Sequence, residues 1–470
     1  MGPSEYFSGG SFHLNCVEME KIMTKTLFGT TREGAEVLKY TIKNQTGMEA
    51  DIITLGAAVV SLRIAGSDGV VRDVVLGYDT PAEYQTHTCY FGAVIGRNSN
   101  RIGGAAFKLD EKEYKLEQND NENNLHSGSK GFHAVIWEVE QAADDSVTLS
   151  YLSKDSEQDF PGNMTVKVTY TLTDENELAI SYEAVTDADT VANMTNHCYF
   201  NLNGHDSGKI ENQLLEINAS YYNPVVDEQA IPTGEIAPVA DTPMDFRTMK
   251  EIGRDIGDDD AQLKFVGGYD HNYVLDRKGD GMELAAVAKC RESGICMEVY
   301  TDCIGVQLYA GNFIGDQIGK GGAVYGDRHG FCLETQYFPN AVNEKNFTPP
   351  ILRAGEIYET DTIYHFTVEQ PENLTKMAPD LMTEAQGSEA APGVSMADGA
   401  EQTLAAPDIC IQYQSLESSM DQVVEKIHRQ YAQSGENVSE IQKLQLYVKP
   451  EDLTVYYVIN EDFMGSVPLF

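Results

Sequence analysis

From about Met23 to residue 370, apolar positions recur at every second residue in short runs bounded by Gly, Asn and Asp, the spacing of half-buried strands. Val37 to Ile42, Asp51 to Ile53, Val147 to Leu152, Thr165 to Leu172, Leu178 to Ala184, Met297 to Tyr300 and Val306 to Tyr309 are the clearest runs. Sustained helical spacing is scarce, so the pattern predicts a mainly β protein built as a large antiparallel sandwich. Residues 1–22 lack periodicity and read as an N-terminal extension. The pattern changes again at Pro371: through Pro407 there is no aromatic residue, and four prolines appear with six acids against the single Lys376. Such a segment cannot bury enough apolar surface to order itself and reads as a disordered linker, 371–407. Beyond it, Met420, Val423, Val424, Ile427 and Tyr431 share one helical face, Ser419 with Gln422 fits a capping box, and Gly435 suits the stop. The runs Leu444 to Val448 and Leu453 to Ile459 flank Lys449-Pro-Glu-Asp and predict a hairpin. Residues 408–470 are therefore expected to form a small β-α-β-β domain.

One strand-like stretch carries a carboxylate through apolar surroundings. In Gly330 to Asn343, G-F-C-L-E-T-Q-Y-F-P-N-A-V-N, the two-residue period puts Cys332, Glu334, Gln336 and Phe338 on one face and Phe331, Leu333, Thr335 and Tyr337 on the other. Pro339, with no N–H to donate, ends the ladder. Desolvation among these aromatics would raise the pKa of Glu334 and make it a proton acceptor near neutrality. A rim glutamate in water, or a buried one paired with an arginine, fits the same stretch.

Four other segments offer polar chemistry. Asn193 to Leu202 alternates so that Asn193, Thr195, His197, Tyr199 and Asn201 share a face, which suits either a site for a polyhydroxylated ligand or a solvated surface. Gly96-Arg-Asn-Ser-Asn-Arg-Ile102 holds two guanidiniums, and Arg101 with Asn100 forms a donor fork for hydroxyls. His126 lies in a turn, N-N-L-H-S-G. Asp270 stands among aromatics in G-Y-D-H-N-Y, as either a hydroxyl partner or an Asx turn.

Charge and cysteine usage narrow the partners. With 33 Lys plus Arg against 74 Asp plus Glu, the net charge is −41, which argues against nucleic acid and anionic membranes and leaves small neutral ligands open. The eight cysteines are scattered without C-x-x-C or metal-ligand spacing, as expected of reduced thiols in the cytoplasm. The first 22 residues hold no unbroken apolar core of the signal-peptide kind, and nowhere do 18 apolar residues run together. Cofactor motifs are missing as well: G-D-Q-I-G-K-G at 315–321 has no Ser or Thr after Lys320, Asp258 to Asp260 lacks calcium-loop spacing, and His126, His197 and His271 are too far apart for a local zinc motif. No cofactor and no metal are expected.

Taken in order from about Thr26 to Val368, G-R-N-S-N-R-I, N-N-L-H, T-N-H-C-Y-F-N-L, G-Y-D-H-N-Y, G-V-Q-L-Y-A-G-N and F-C-L-E-T-Q-Y-F-P-N-A-V-N resemble the signatures of the galactose mutarotase (aldose 1-epimerase) family. The resemblance implies a β-supersandwich that interconverts the α and β anomers of free hexoses such as galactose and glucose. It implies Glu334 as general base and His197 as general acid, with His126 holding and polarising the sugar. Asn100, Arg101, Asp270 and Gln307 would bind hydroxyls, and Cys198 and Tyr199 would line the site beside His197. Cys198 stands where the family usually has Ser, and Ser99 where Ala is common. Two alternatives remain: a mutarotase for another aldose or for a sugar phosphate, the latter needing a basic cluster for which Arg97, Arg101 and Lys320 are the candidates, and a non-catalytic sugar-binding or sensing protein on the same fold. The small C-terminal domain is left without an assigned role.

Overall fold

In the computed structural model of the chain the described residues are 24–370, 410–413, 416–419, 426–427, 444–449, 454–459 and 463–468. The expected extension 1–22, the linker 371–407 and most of the expected helix, including Gln422 and Gly435, lie outside them, while Ser419, expected to cap that helix, ends the strand Leu416–Ser419. The chain divides into two compact units, Met1–Met382 and Thr383–Phe470.

The alternating runs of the first unit pair antiparallel. Its largest sheet has nine strands in the order Glu138–Ala142, Ser146–Ser153, Met164–Leu172, Glu177–Thr186, Ile357–Val368, Ile295–Thr301, Glu283–Lys289, Leu214–Ile217 and Lys250–Glu251. The hairpin Met164–Leu172/Glu177–Thr186 shows how sequence sets register. Val166, Val168, Tyr170 and Leu172 are buried on one strand, and Leu178, Ile180, Tyr182 and Ala184 on the other. The pairings Leu172 with Leu178 and Tyr170 with Ile180 keep both apolar sets on the core side, whereas a slip of one residue would turn them to solvent. Asn176, with φ of 65°, takes the left-handed conformation of the turn. A five-stranded sheet, Thr24–Thr30 through Val71–Asp73 in sequence order, contributes Ile42, Ile52, Val59 and Leu62 to the same core. Trp137, the chain's one tryptophan, is buried there with its indole N–H donated to the Phe132 carbonyl at 3.1 Å.

A second five-stranded sheet, Ala237–Pro238, Tyr221–Tyr222, Asp270–Val274, Gly305–Tyr309 and Cys332–Gln336 in that order, carries the polar stretches. Its register sets Asn272 opposite Gln307 and Gln307 opposite Glu334, while Asp270 faces Tyr309 and Tyr309 faces Cys332. Opposed residues share a face and the period is two. Asp270, Asn272, Gln307, Tyr309, Cys332, Glu334 and Gln336 therefore share one side of the sheet. Tyr273, Val306, Leu308 and Leu333 point the other way, into the core.

Among the described residues of the second unit, Cys410–Tyr413 pairs with Leu416–Ser419, and Leu444–Lys449, Thr454–Ile459 and Phe463–Pro468 form a three-stranded antiparallel sheet. The expected hairpin is present, but two strands exceed the β-α-β-β reading. Leu416–Ser419 is only four residues long, and Phe463–Pro468 contains Gly465 and Pro468, which weaken a strand signal. Lys426 and Ile427 are helical. No helix among the described residues is long and apolar enough to cross a membrane.

Candidate active site

The polar sheet face forms the floor of a cleft of about 450 Å³ whose walls include Tyr90, Asn100, Arg101, Asp120, His126, His197, Tyr199, Asp270, Tyr309 and Glu334. All five polar stretches meet there, and the chain at His197 to Phe200 runs beside the strand Cys332–Gln336: Phe200 and Phe331 exchange backbone hydrogen bonds of 2.7 and 3.0 Å. This pairing sets Nε2 of His197 3.6 Å from Oε2 of Glu334. Both side chains are buried, at 4 % and 2 % exposure, and Oε2 of Glu334 has no hydrogen-bond partner among the described residues. Burial raises the Glu334 carboxyl well above the usual range, with Asp270 adding to the shift and Arg101 opposing it. Burial has the opposite effect on the His197 imidazole, which is pulled down. Desolvation thus makes the carboxylate a stronger base and the imidazolium a stronger acid.

The surrounding groups are arranged around this pair. The His197 ring is stacked on Tyr199 at 5.1 Å, tilted against Tyr90 at 5.7 Å and edge-on to His126 at 5.2 Å. His126 adopts a φ of 53°, and its Nδ1 accepts the Asn100 N–H at 3.1 Å. An accepting Nδ1 leaves the ring hydrogen of the neutral imidazole on Nε2, and burial keeps His126 neutral by pulling it well below its ordinary range. Arg101 donates from Nε to Asp120 at 2.8 Å, and its NH1 lies 4.0 Å from Asp270. The second Asp270 oxygen accepts the Gln307 amide at 2.7 Å.

His126, His197 and Glu334 bring one possible ligand atom each within 4.8 Å of one another, a spacing that could hold a metal ion. The hydrogen on Nε2 of His126 removes the lone pair that a cation would require there. The trio instead suits proton transfer and hydroxyl binding.

Seven expected site residues, Asn100, Arg101, His126, His197, Tyr199, Asp270 and Glu334, meet in this cleft. Cys198 does not. Backbone alternation that turns His197 toward the cleft sends Cys198 into the main apolar core, where it is 1 % exposed. Gln307 shares the cleft side of the sheet but is not among the lining residues, its amide nitrogen committed to Asp270 and its oxygen 3.4 Å from the Gln336 amide. Ser99 donates to Gln336 at 3.1 Å and so belongs to the same underlying network. Thr195 and Asn201, expected on the His197 face, are buried away from the cleft walls. Sequence reasoning missed Asp120, Tyr90, Tyr309 and the exposed rim residue Phe313. Tyr309 stands two residues after Gln307, so the strand period could have found it. Asp120 sits in the polar run N-D-N-E-N-N, where nothing distinguishes it from its neighbours.

The aldose 1-epimerase family profile matches residues 38–365. The chain belongs to that family. Galactose mutarotase of Sus scrofa is 41% identical over 347 residues, which cover 74% of this chain and 99% of that protein. Aldose 1-epimerase of Escherichia coli K12 is 39% identical over 331 residues, 70% of this chain and 95% of that protein. A solved aldose epimerase homologue from C. elegans aligns with a TM-score of 0.65 at 29% identity, covering 70% of this chain and 98% of that one. Residues 367–469 match a family of unknown function, DUF6465. The aldose 1-epimerase unit is thus an isomerase that interconverts the anomers of hexoses, on the β architecture that the strand pattern predicts.

Proposed function

We propose that Glu334 is the general base and His197 the general acid of this aldose 1-epimerase, acting on free galactose or glucose. The carrying observation is the unpartnered, buried Oε2 of Glu334 beside Nε2 of His197. With Glu334 ionised and His197 protonated, Oε2 takes the proton of the anomeric hydroxyl as the C1–O1 bond gains double-bond character. The C1–O5 bond breaks, its electron pair goes to the ring oxygen, and Nε2 of His197 protonates that oxygen. The open aldehyde then sits beside a neutral acid and a neutral imidazole, the pair that burial favours. Rotation about C1–C2 and reversal of the same transfers close the other anomer. His126, donating from Nε2, and the Arg101 and Asp270 groups hold the remaining hydroxyls, while Gln307 steadies Asp270.

The cleft favours a neutral sugar over a phosphorylated one. Arg101 is the one lysine or arginine in its described wall, and Asp120, Asp270, Glu228 and Glu334 stand in the same wall. Arg97 and Lys320, the other candidates for a phosphate, are engaged elsewhere in the fold. Freshly dissolved α-D-galactose and α-D-glucose, followed by polarimetry, test the reading. Wild type should accelerate equilibration, and Glu334→Gln and His197→Asn should each lower kcat by about a hundredfold or more. Full activity in either variant would remove that residue from its assigned role.

We further propose that the C-terminal segment is a module separate from the epimerase, a reading supported by the two compact units and the separate family match. A chain ending at residue 370 should keep its kcat, and collapse of the rate would refute the separation. The proposed compartment is the cytoplasm, on the scattered cysteines.

A further inference from the structure

We propose that Cys332 is the positioning residue of His197: its sulfur accepts the Nδ1–H of the imidazole, so that the strand that carries the base also orients the acid. The inference rests on His197 acting as the acid. Cys332 and Glu334 are two residues apart on the strand Cys332–Gln336 and share its cleft-facing side. Sγ of Cys332 lies 3.5 Å from Nδ1 of His197, and Oε2 of Glu334 lies 3.6 Å from Nε2. The residue's own backbone carbonyl accepts the Gly92 N–H at 2.9 Å and also favours the protonated ring. The thiol is fully buried in a small apolar cluster with Leu76, Phe91 and Tyr199, and burial keeps it protonated and neutral.

A hydrogen on Nδ1 is what the reaction needs. When the imidazolium gives its Nε2 proton to the ring oxygen, the neutral ring keeps its hydrogen on Nδ1, and that hydrogen must have an acceptor in every state of the cycle. A carboxylate there, as in a serine-protease triad, would stabilise the imidazolium and weaken it as an acid. A neutral sulfur accepts only weakly, so it orients the ring without holding back its proton. The other ionisable groups near the ring are Glu334, His126, His133, Tyr90 and Tyr199.

Variants of the full chain test the clamp. Cys332→Val fills similar space without an acceptor and should lower kcat about tenfold, with KM within about twofold of wild type. Cys332→Ser, whose hydroxyl accepts Nδ1–H, should recover kcat to within about threefold. In 15N-histidine spectra the Nδ1–H signal of His197 should be present in wild type and the Ser variant and lost or broadened in the Val variant. A folded Val variant with wild-type kcat, a Ser variant as slow as Val, or an unprotonated Nδ1 in wild type overturns the proposal. Should Cys332→Val not fold, Cys332→Ala carries the same test. His197→Asn separates the two readings: if it is inactive while Cys332→Val is fully active, only the clamp falls, and if His197→Asn is active, both fall.

Discussion

Arg97 and Glu334 are both buried ionisable groups, at 1 % and 2 % exposure, yet the structure treats them in opposite ways. The Arg97 guanidinium donates six hydrogen bonds, to the carbonyls of Ser153, Lys154, Pro161 and Gly162 and to the hydroxyls of Ser153 and Thr190. The donors of this side chain are filled by the strand end at Ser153, by the connection that follows it and by Thr190 of a further strand, and it binds those segments together. Glu334 has an oxygen without a hydrogen-bond partner among the described residues. Leaving such an atom unsatisfied costs on the order of 1–3 kcal/mol or more, a cost with no structural return. The contrast separates a charge buried to hold the fold from one held ready for a ligand.

The largest effects should divide along this line. Glu334→Gln should lower kcat by ~10²–10⁴ while leaving the urea midpoint at or above that of wild type, because the amide removes a buried ionisable group. Arg97→Met should do the reverse, costing at least ~3 kcal/mol of stability by stranding several buried acceptors, with the folded fraction keeping its kcat. Equal loss of stability in both variants, measured by urea denaturation, would erase the distinction.

Asp270 stands between the two cases, with one oxygen held by Gln307 and the other toward Arg101. Asp270→Asn should raise KM about tenfold by removing a charged hydroxyl partner. Its negative charge also helps raise Glu334. Removing it favours the ionised carboxylate, so the acidic limb of the kcat/KM profile should move to lower pH. A limb that stays in place would mean that another group controls it.

His271 offers a quieter example of a satisfied buried group. It is 1 % exposed, and burial pulls it down to about 3. Between that value and the ordinary ~6.5 of the unfolded chain, the unfolded state binds a proton that the native state does not. Its contribution therefore makes stability rise with pH across this window, by up to ~1.4 kcal/mol per pH unit. His271→Gln should flatten the pH dependence of the urea midpoint by that amount without changing the polarimetric rate near neutrality. The smallest effect is expected at Cys198, which faces the core: Cys198→Ser should cost ~1 kcal/mol and leave kcat within about twofold. A large change in kcat would put its side chain back beside the sugar.

The strand pattern was legible because alternation is local. The runs Thr165 to Leu172 and Leu178 to Ala184 lie within the paired strands Met164–Leu172 and Glu177–Thr186, and the two-residue period correctly grouped Cys332, Glu334 and Gln336. The same period argues against Cys198 lining the site beside His197, since neighbours on extended backbone face opposite ways. Gln307 was harder to place. Its face was readable, but the Asp270 oxygen that captures its amide comes from a strand 37 residues earlier.

What the sequence by itself determined is therefore the alternation that builds the sheets, the ordered motifs that mark the family, and the presence of an acid, a base and hydroxyl partners in one chain. The tertiary structure decided which of these groups meet and which remain unpaired. Arg97 and Arg101 are four residues apart in one motif, yet one is enclosed by carbonyls and the other lines the cleft. Glu334 could have been a rim residue or an arginine's partner until His197, 137 positions away, was placed 3.6 Å from it. Desolvation and hydrogen-bond saturation depend on every segment packed around a group. No single stretch of sequence carries that information, because the neighbours that set it come from elsewhere in the chain.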